Sequence, residues 1–399
     1  MKGRVHVAGA GVISAIGNSV SETLDSFRQE RSGIGNISFF ETVHKSTLPV
    51  GEVKLSNADL LQRTGLQKNI TRTALLGTHA ALEAVKHAGI GDLNQWRTGL
   101  ISATTVGGMD RTENFFQEFI QDASAGKLSD VADHACGRST ELIADALGIN
   151  TFVSTINTAC SSSVNSIIYG ARLIDHGMLD VVIVGGTDAL TRFTLNGFNS
   201  LMILDQQPCR PFDASRSGLN LGEGAGFLVI VSDNVLRTEK IRSLCRVSGF
   251  ANTNDAFHQT ASSPEGRGSF AAMQKALAMN NLSPEQIDYI NLHGTGTVNN
   301  DQSEGTAIRR LFGTQLPRLS STKSFTGHTL GACGGIEAVF SVLAIEHGCV
   351  FPNLRFQKPM PDLNIVPQTR FQSGLNLRHV MSNSFGFGGN CSSIIFSKE

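Results

Sequence analysis

The stretch NTACSSS (157–163) places four nucleophile-type side chains, Cys160 to Ser163, in a row. A serine attacks only with a base beside it, whereas a thiol with an ordinary pKa near ~8.5 is already partly ionised at neutral pH. The preceding run FVSTI (152–156) reads as a β-branched buried strand. From Ser161 the period changes, with Val164, Ile167, Ile168 and Ala171 at i, i+3, i+4 and i+7. Cys160 is therefore expected at a strand-to-helix turn, where the helix dipole lowers a thiol pKa. The three serines are expected as helix caps. The plain alternative is that Cys160 is a small buried hydrophobe.

Partners for the thiol lie far downstream. NLHGTGT (291–297) sets His293 at the end of a strand, among small residues that let backbone and ligand approach closely. STKSFTGHTLGACGGIEA (321–338) sets Lys323 and His328 in a Gly/Ser/Thr turn before an apolar helix bearing Ile336, Val339, Phe340 and Leu343. Glu337 falls inside that helix and needs a partner if buried. SNSFGFGGN (382–390) is a Gly-rich turn with Phe385 and Phe387 as apolar walls, and its backbone N–H groups suit an oxyanion. Two decoys are set aside. GAGVIS (9–14) lacks the third glycine of a dinucleotide fingerprint, and LGEGAGF (221–227) lacks the Gly-Lys-Ser/Thr ending of a phosphate loop.

The elements that must position these residues come in two similar runs. VHVAGAGV (5–12) and LCRVSGFAN (244–252) open them, with Val5 to Ala8 read as a strand ending in a Gly turn. Helix-period segments follow at 74–89 and 269–281, then strands entering Gly-rich turns at 98–108 and 287–297. Helices start near Ser161 and Leu330, and GFLVIVS (226–232) and CSSIIFS (391–397) close the two halves. The first half is longer through an insertion at roughly 109–150. Such alternation implies an α/β fold of two mainly parallel sheet units sharing a central helical layer.

Composition narrows the class. The 399 residues carry a formal net charge of -1, so no global field draws the chain to nucleic acid or an anionic membrane. Seven scattered cysteines include no CxxC pair and no zinc-spaced cluster, which suits a reduced, cytoplasmic protein. No apolar run is expected to reach the ~18 residues of a membrane helix, and a soluble protein is expected.

Taken together, Cys160 in TACSSS, His293 in HGTGT, Lys323 and His328 in TKSFTGH, NSFGFGG, and RPFDASRSGLNLGEGAG (210–226) resemble the β-ketoacyl-acyl carrier protein synthases of the I/II type, over essentially the whole chain. The resemblance implies a thiolase-like fold of two duplicated α/β halves, 1–238 and 239–399, layered α-β-α-β-α. It implies decarboxylative condensation: Cys160 takes the acyl chain, and the enolate of malonyl-carrier protein attacks it. His293 and His328 would hold the enolate oxygen, Lys323 would support them, and Glu337 would hold the Lys323 turn. Backbone N–H groups of Cys160 and Phe387 would form the oxyanion hole, with Phe387 also the gate. Val106, Phe198 and Phe385 would line the acyl pocket, and Arg63, Lys68 and Arg72 would dock the carrier protein. No metal or other cofactor is implied. The expected partners are acyl- and malonyl-carrier protein and a second copy, or a chain-length-factor homologue in a heterodimer. Asn390-Cys391 stands where the family pattern has Thr-Asn, and ACSSS is closer to polyketide-type ketosynthases, so a polyketide or polyene pathway stands beside fatty-acid elongation. A silent chain-length partner would normally lack the active cysteine. An acyl-CoA thiolase would need a second catalytic cysteine, for which Cys391 is the only candidate.

Overall fold

The computed structural model describes residues 4–67 and 70–399. Ten strands form the main sheet: β1 Val5–Ser14, β2 Thr98–Ala103, β3 Phe152–Ile156, β4 Val181–Asp188, β5 Gly224–Ser232, β6 Cys245–Asn254, β7 Tyr289–Asn291, β8 Arg318–Ser320, β9 His379–Phe385 and β10 Asn390–Ser397. Seven helices matter for the site: α1 Arg72–Ala88, α2 Met109–Gln121, α3 Ser162–Asp175, α4 Arg192–Ser200, α5 Arg267–Met279, α6 Val298–Phe312 and α7 Cys333–His347.

The strand order is β8-β7-β9-β10-β6 followed by β1-β5-β4-β2-β3. Each group of five repeats one pattern. β2 runs parallel to β3 and β4, and β5 is antiparallel to β4 and β1. In the other group β7 runs parallel to β8 and β9, and β10 is antiparallel to β9 and β6. The duplication read from the sequence is thus present strand for strand. The two groups are not separate sheets, however. They meet at a short antiparallel seam, Val5 to Val7 against Val247 to Cys245.

Helix α1 covers the outer face of the first group, and α5 with α6 covers that of the second. Between the groups lie α3 and α7, packed on each other and on both sets of strands. This is the α-β-α-β-α arrangement. A central helix must be apolar nearly all round. In α7 Glu337 is the buried charge that needs a partner, and Ile336, Val339, Phe340, Val342, Leu343 and Ile345 are all buried. Each such side chain stabilises the fold by about 1.5–3 kcal/mol. The stretch Leu330–His347 does have the length and hydropathy of a membrane span, contrary to the sequence expectation, but 89% of it is buried in this layer. Charge is scarce in it because both its faces meet protein.

The first strand also departs from expectation. It does not end at Ala8 in a glycine turn but continues to Ser14. Gly9 and Gly11 serve the close approach of α1: a Cβ at Gly11 would sit 2.1 Å from the Ala80 carbonyl oxygen, and one at Gly9 2.3 Å from that of Ala84. The apparent dinucleotide fingerprint is therefore a helix-packing surface. α1 is capped by Thr71, whose side chain accepts from Ala74 N–H, and ends at Gly89 with φ +67°.

Candidate active site

Four connections converge at one end of the strands. Cys160 lies between β3 and α3, His293 follows β7, Lys323 and His328 lie between β8 and α7, and Phe387 lies between β9 and β10. Parallel strands deliver their C-terminal ends, and so the loops after them, to one side of a sheet. The floor of a cavity of about 280 Å³ there includes Cys160, His293, His328, Phe385 and Phe387, with Phe198 from α4 on its wall. Cys160 Sγ and one ring nitrogen of each histidine lie within 4.8 Å of one another.

The nucleophile turn is bent sharply, with Ala159 at φ +54°, a conformation that costs a non-glycine residue energy. The serines do not cap α3. Ser162 Oγ accepts from Thr158 N–H and donates to Ala159 O, bracing the turn. Ser163 Oγ donates to Gly331 O and accepts from Gly335 N–H, fastening the turn to α7. Burial dominates the thiol: it pushes Cys160 up to about 11, against the pull of the Lys323 ammonium and hydrogen bonds from the N–H groups of Phe387 and Cys160. The helix terminus does not bring this thiol below its ordinary value, because the closed cavity removes the water that would solvate a thiolate.

Each histidine presents one defined face. Lys323 Nζ lies 2.5 Å from Glu337 Oε1, 2.7 Å from His293 O and 3.2 Å from His293 Nδ1. An ammonium only donates, so His293 Nδ1 accepts and the ring proton is assigned to Nε2. His328 Nδ1 likewise accepts from Leu330 N–H at 3.1 Å. Leu330 holds φ +52° to offer that bond. Burial, then Lys323, keeps both rings neutral with pKa well below the ordinary 6.5. Each ring therefore carries its proton on Nε2, and one nitrogen of each ring lies within 4.8 Å of Cys160 Sγ. The trio has metal-ligand spacing, but its Nδ1 atoms already accept N–H bonds and an ammonium stands behind it. This arrangement favours hydrogen-bond donation over ligation of a cation.

Lys323 and Glu337 are 1% and 3% exposed. Burial opposes the Lys323 charge, but Glu337, Cys333 and Glu304 together raise the Lys323 pKa. Burial pushes Glu337 up to about 7 against that ammonium.

Residues not singled out in the sequence complete the support. Glu304 on α6 accepts from the backbone N–H groups of His293 and Gly294. Asp188, at the end of β4, accepts from Thr104 Oγ1, Thr105 N–H, Val106 N–H and Gly331 N–H. Cys333 Sγ donates to the carbonyl of Cys160. An acidic residue ending a buried apolar strand, or inside a helix facing the core, was the available signal for the first two.

Phe387 stacks on Phe198, centroids 5.9 Å apart and planes 14° apart, and Phe385 meets the His293 ring at 5.9 Å. Val106 is not on the cavity wall. It is buried in an apolar cluster with Leu190, Leu195 and Leu330, and Leu219 and Phe198 connect that cluster to the cavity. Arg72 is corrected too: it is buried, its Nε and Nη2 bound to Glu223 at 2.9 and 2.6 Å, with Asn57 and the Val53 carbonyl on its other N–H groups. A side chain so occupied is a structural clamp with no free face for a partner. Arg63 is exposed in the last turn of the helix Asn57–Thr64, and Lys68 lies outside the described residues. Cys391 is buried in β10 beside Ala272 and Phe385, pushed up to about 12 by burial, and is not among the cavity residues.

Residues 2–234 match the family described as Beta-ketoacyl synthase, N-terminal domain, and residues 244–357 match Beta-ketoacyl synthase, C-terminal domain. The chain is 35% identical to 3-oxoacyl-acyl-carrier-protein synthase 2 of Staphylococcus aureus (strain N315), covering 99% of this chain and 98% of that protein. It is 35% identical to the enzyme of the same name from Synechocystis sp., covering 100% and 98%. Among solved structures, the ishigamide ketosynthase/chain length factor matches with TM-score 0.94 at 30% identity, covering 100% of both chains. A ketosynthase from Xenorhabdus doucetiae in complex with its chain length factor matches with TM-score 0.87 at 31% identity, covering 100% of this chain and 98% of that one.

Proposed function

Because this chain belongs to the β-ketoacyl synthase family, we propose that Cys160, His293, His328 and Lys323 divide its two-stage reaction between them. The enzyme is a ketosynthase: it condenses an acyl chain with malonyl-carrier protein to give the 3-oxoacyl product and carbon dioxide. In the first stage Cys160 Sγ attacks the acyl thioester. The oxyanion is held by the N–H groups of Cys160 and Phe387, the carrier thiolate leaves, and it takes the proton that Cys160 gives up. In the second stage the malonyl group loses carbon dioxide. The electron pair forms an enolate whose oxygen accepts from His293 Nε2–H and His328 Nε2–H. Its carbon attacks the acyl-Cys160 carbonyl, the same two backbone N–H groups take the new oxyanion, and the Cys160 thiolate departs and takes one proton from solvent as the product leaves.

The observation that carries these roles is that one ring nitrogen of each histidine and the Cys160 thiol lie within 4.8 Å of one another on one cavity floor, while both Nδ1 atoms are occupied as acceptors. Lys323 positions His293 and favours the thiolate, and Glu337 holds Lys323. Phe387, stacked on Phe198, closes the cavity until an acyl chain displaces it; Phe385 forms a wall. The burial of the site suits an intermediate that water would hydrolyse. The Cys391 environment does not support a thiolase, and Cys160 does not support a silent partner. The test is His293→Ala, which should keep part of the acyl transfer to Cys160 while losing malonyl decarboxylation.

We assign the acyl and malonyl substrates to an acidic carrier protein, docked through Arg63 with a neighbouring basic residue. The division into halves falls at 238/239. For the assembly we propose a dimer, either with itself or with a chain-length-factor homologue as in the solved relatives. The edge strand β3 is an open pairing template, and Val153 on it, Phe116 on α2 and Phe193 on α4 are 40%, 57% and 62% exposed. Seven free cysteines suit a reducing, cytoplasmic setting, and the ACSSS turn places a polyketide or polyene pathway beside ordinary fatty-acid elongation.

A further inference from the structure

Asn390 is the first residue after the Gly386–Gly389 loop, and it touches both sides of the reaction centre. Its carbonyl accepts from Gly386 N–H at 2.8 Å, closing the loop that carries Phe387. Its side chain reaches across to the nucleophile turn. Oδ1 lies 2.7 Å from Ser161 Oγ, the hydroxyl next to Cys160, which shares its proton between this bond and Thr158 O. The same Oδ1 accepts from Asn165 Nδ2 on α3 at 3.1 Å and from Asn252 Nδ2 on β6 at 2.6 Å. Asn165 Oδ1 in turn accepts from Asn252 Nδ2 and Ser392 Oγ, so the orientation of each amide is fixed by its neighbours. Gly386 lies directly on the turn: a Cβ there would be 3.0 Å from Cys160 N.

From this geometry we infer that Asn390 is a positioning residue for the oxyanion hole, one that holds the Phe387 loop in register with the Cys160 turn. The two oxyanion donors come from different halves of the duplicated chain, Cys160 N–H from the first and Phe387 N–H from the second. Their separation is not set by one strand ladder or one helix. Asn390 Oδ1 ties them together through Ser161, while the far side of the loop, with Gly388 and Gly389 both at φ +77°, is held by Gln259 O, Asp255 N–H and Asn254 Nδ2. All three side-chain bonds are accepted by Oδ1, so an aspartate can replace the asparagine and a leucine of similar shape cannot.

The inference rests on the roles proposed above for Cys160 and Phe387, and its test separates the two. The rate constant for acylation of Cys160 by an acyl-carrier thioester is measured per active site, with sites counted by iodoacetamide titration and folding followed by thermal melting. Asn390→Leu should lower that rate constant by about 10- to 100-fold, short of the ~10²–10³ expected when a donor is removed outright, while the apparent KM for the carrier substrate stays within threefold. Asn390→Asp should restore the rate to within about threefold of wild type. Ser161→Ala cuts the same tie from the other side and should reproduce the loss, so it carries the test if Asn390→Leu does not fold. An unchanged per-site rate in Asn390→Leu, or an Asn390→Asp variant as slow as the leucine, overturns the inference even with wild type labelled normally at Cys160. A wild type that is not acylated at Cys160 overturns the proposed function and this inference with it.

Discussion

Replacing Lys323 by methionine keeps most of the side chain's bulk and removes three contacts at once. Its Nζ donates to His293 O at 2.7 Å and to Glu337 Oε1 at 2.5 Å, and it lies 3.2 Å from His293 Nδ1. The last contact fixes the ring proton on Nε2. Without it, the proton is free to move to Nδ1 and an enolate donor is lost, which costs about 10²–10³ in rate. The thiol is affected too, because the ammonium pulls the Cys160 pKa down against burial. Removing one partner of a buried ion pair typically costs about 3–5 kcal/mol, but here the cost is limited. Glu337 already sits at about 7 with its cation present, so without that cation it is neutral at pH 7. The Lys323→Met enzyme should therefore fold. The assay is carbon dioxide release from malonyl-carrier protein without an acyl donor, beside a separate measurement of acyl transfer. Decarboxylation should fall by about 10²–10³ in Lys323→Met and much less in Glu337→Gln, and the double variant should be no worse than Lys323→Met. Decarboxylation within threefold of wild type in Lys323→Met, or its recovery on adding Glu337→Gln, would refute the tautomer argument.

Other outcomes follow from the same geometry. Both site histidines are neutral in the folded state with depressed pKa, so below pH ~6.5 the unfolded chain binds more protons than the folded one. Their stabilising share is full above that pH and is lost as pH falls from it, by up to ~1.4 kcal/mol per histidine per pH unit. Urea unfolding should show His328→Gln losing less stability than wild type between pH 6.5 and 5.5, and an equal loss would mean the ring is protonated. Arg72→Ala should lower the melting temperature sharply, since it strands Glu223, while carrier-protein KM for the folded fraction stays unchanged; a selective KM rise would restore Arg72 as a docking residue. Arg63→Glu should raise KM for carrier-bound substrate but not for a small thioester mimic, and equal effects on both would remove it from the docking surface. Val106→Phe overfills the cluster behind Phe198 and should shorten the longest acyl chain accepted while short-chain loading persists; an unchanged length profile in a folded, active variant would separate that cluster from the acyl path.

Much of this was legible in the sequence because each chemical residue sits where a strand pattern stops. The runs before Cys160 and His293 are short and largely apolar, and the glycine and threonine content around His293 and Lys323 marks turns that a ligand can approach. The duplication was legible for the same reason, since each half repeats its order of strands and helices. Three things were hidden. Gly9 and Gly11 read as a turn because sequence does not reveal that α1 lies against them. Arg72 read as a surface charge because its partner Glu223 is far away in the chain and only folding brings the two together. The thiol pKa was misjudged because helix position is local information, whereas burial depends on loops from both halves closing over Cys160. Asp188 and Glu304 were readable but overlooked: an acidic residue ends a buried apolar strand in one case and faces the core from a helix in the other, and their partners are mostly backbone N–H groups.

The most direct test of the account follows one sulfur through both stages. Enzyme is mixed with acyl-carrier thioester, the Cys160 peptide is weighed by mass spectrometry, malonyl-carrier protein is added, and the peptide and carrier are weighed again. The account predicts one acyl group on Cys160 and none elsewhere, then its transfer to the carrier as the 3-oxoacyl chain with one carbon dioxide released per acyl group. Stoichiometric acylation that persists in Cys160→Ala, or an acyl-Cys160 that malonyl-carrier protein does not discharge, would contradict it.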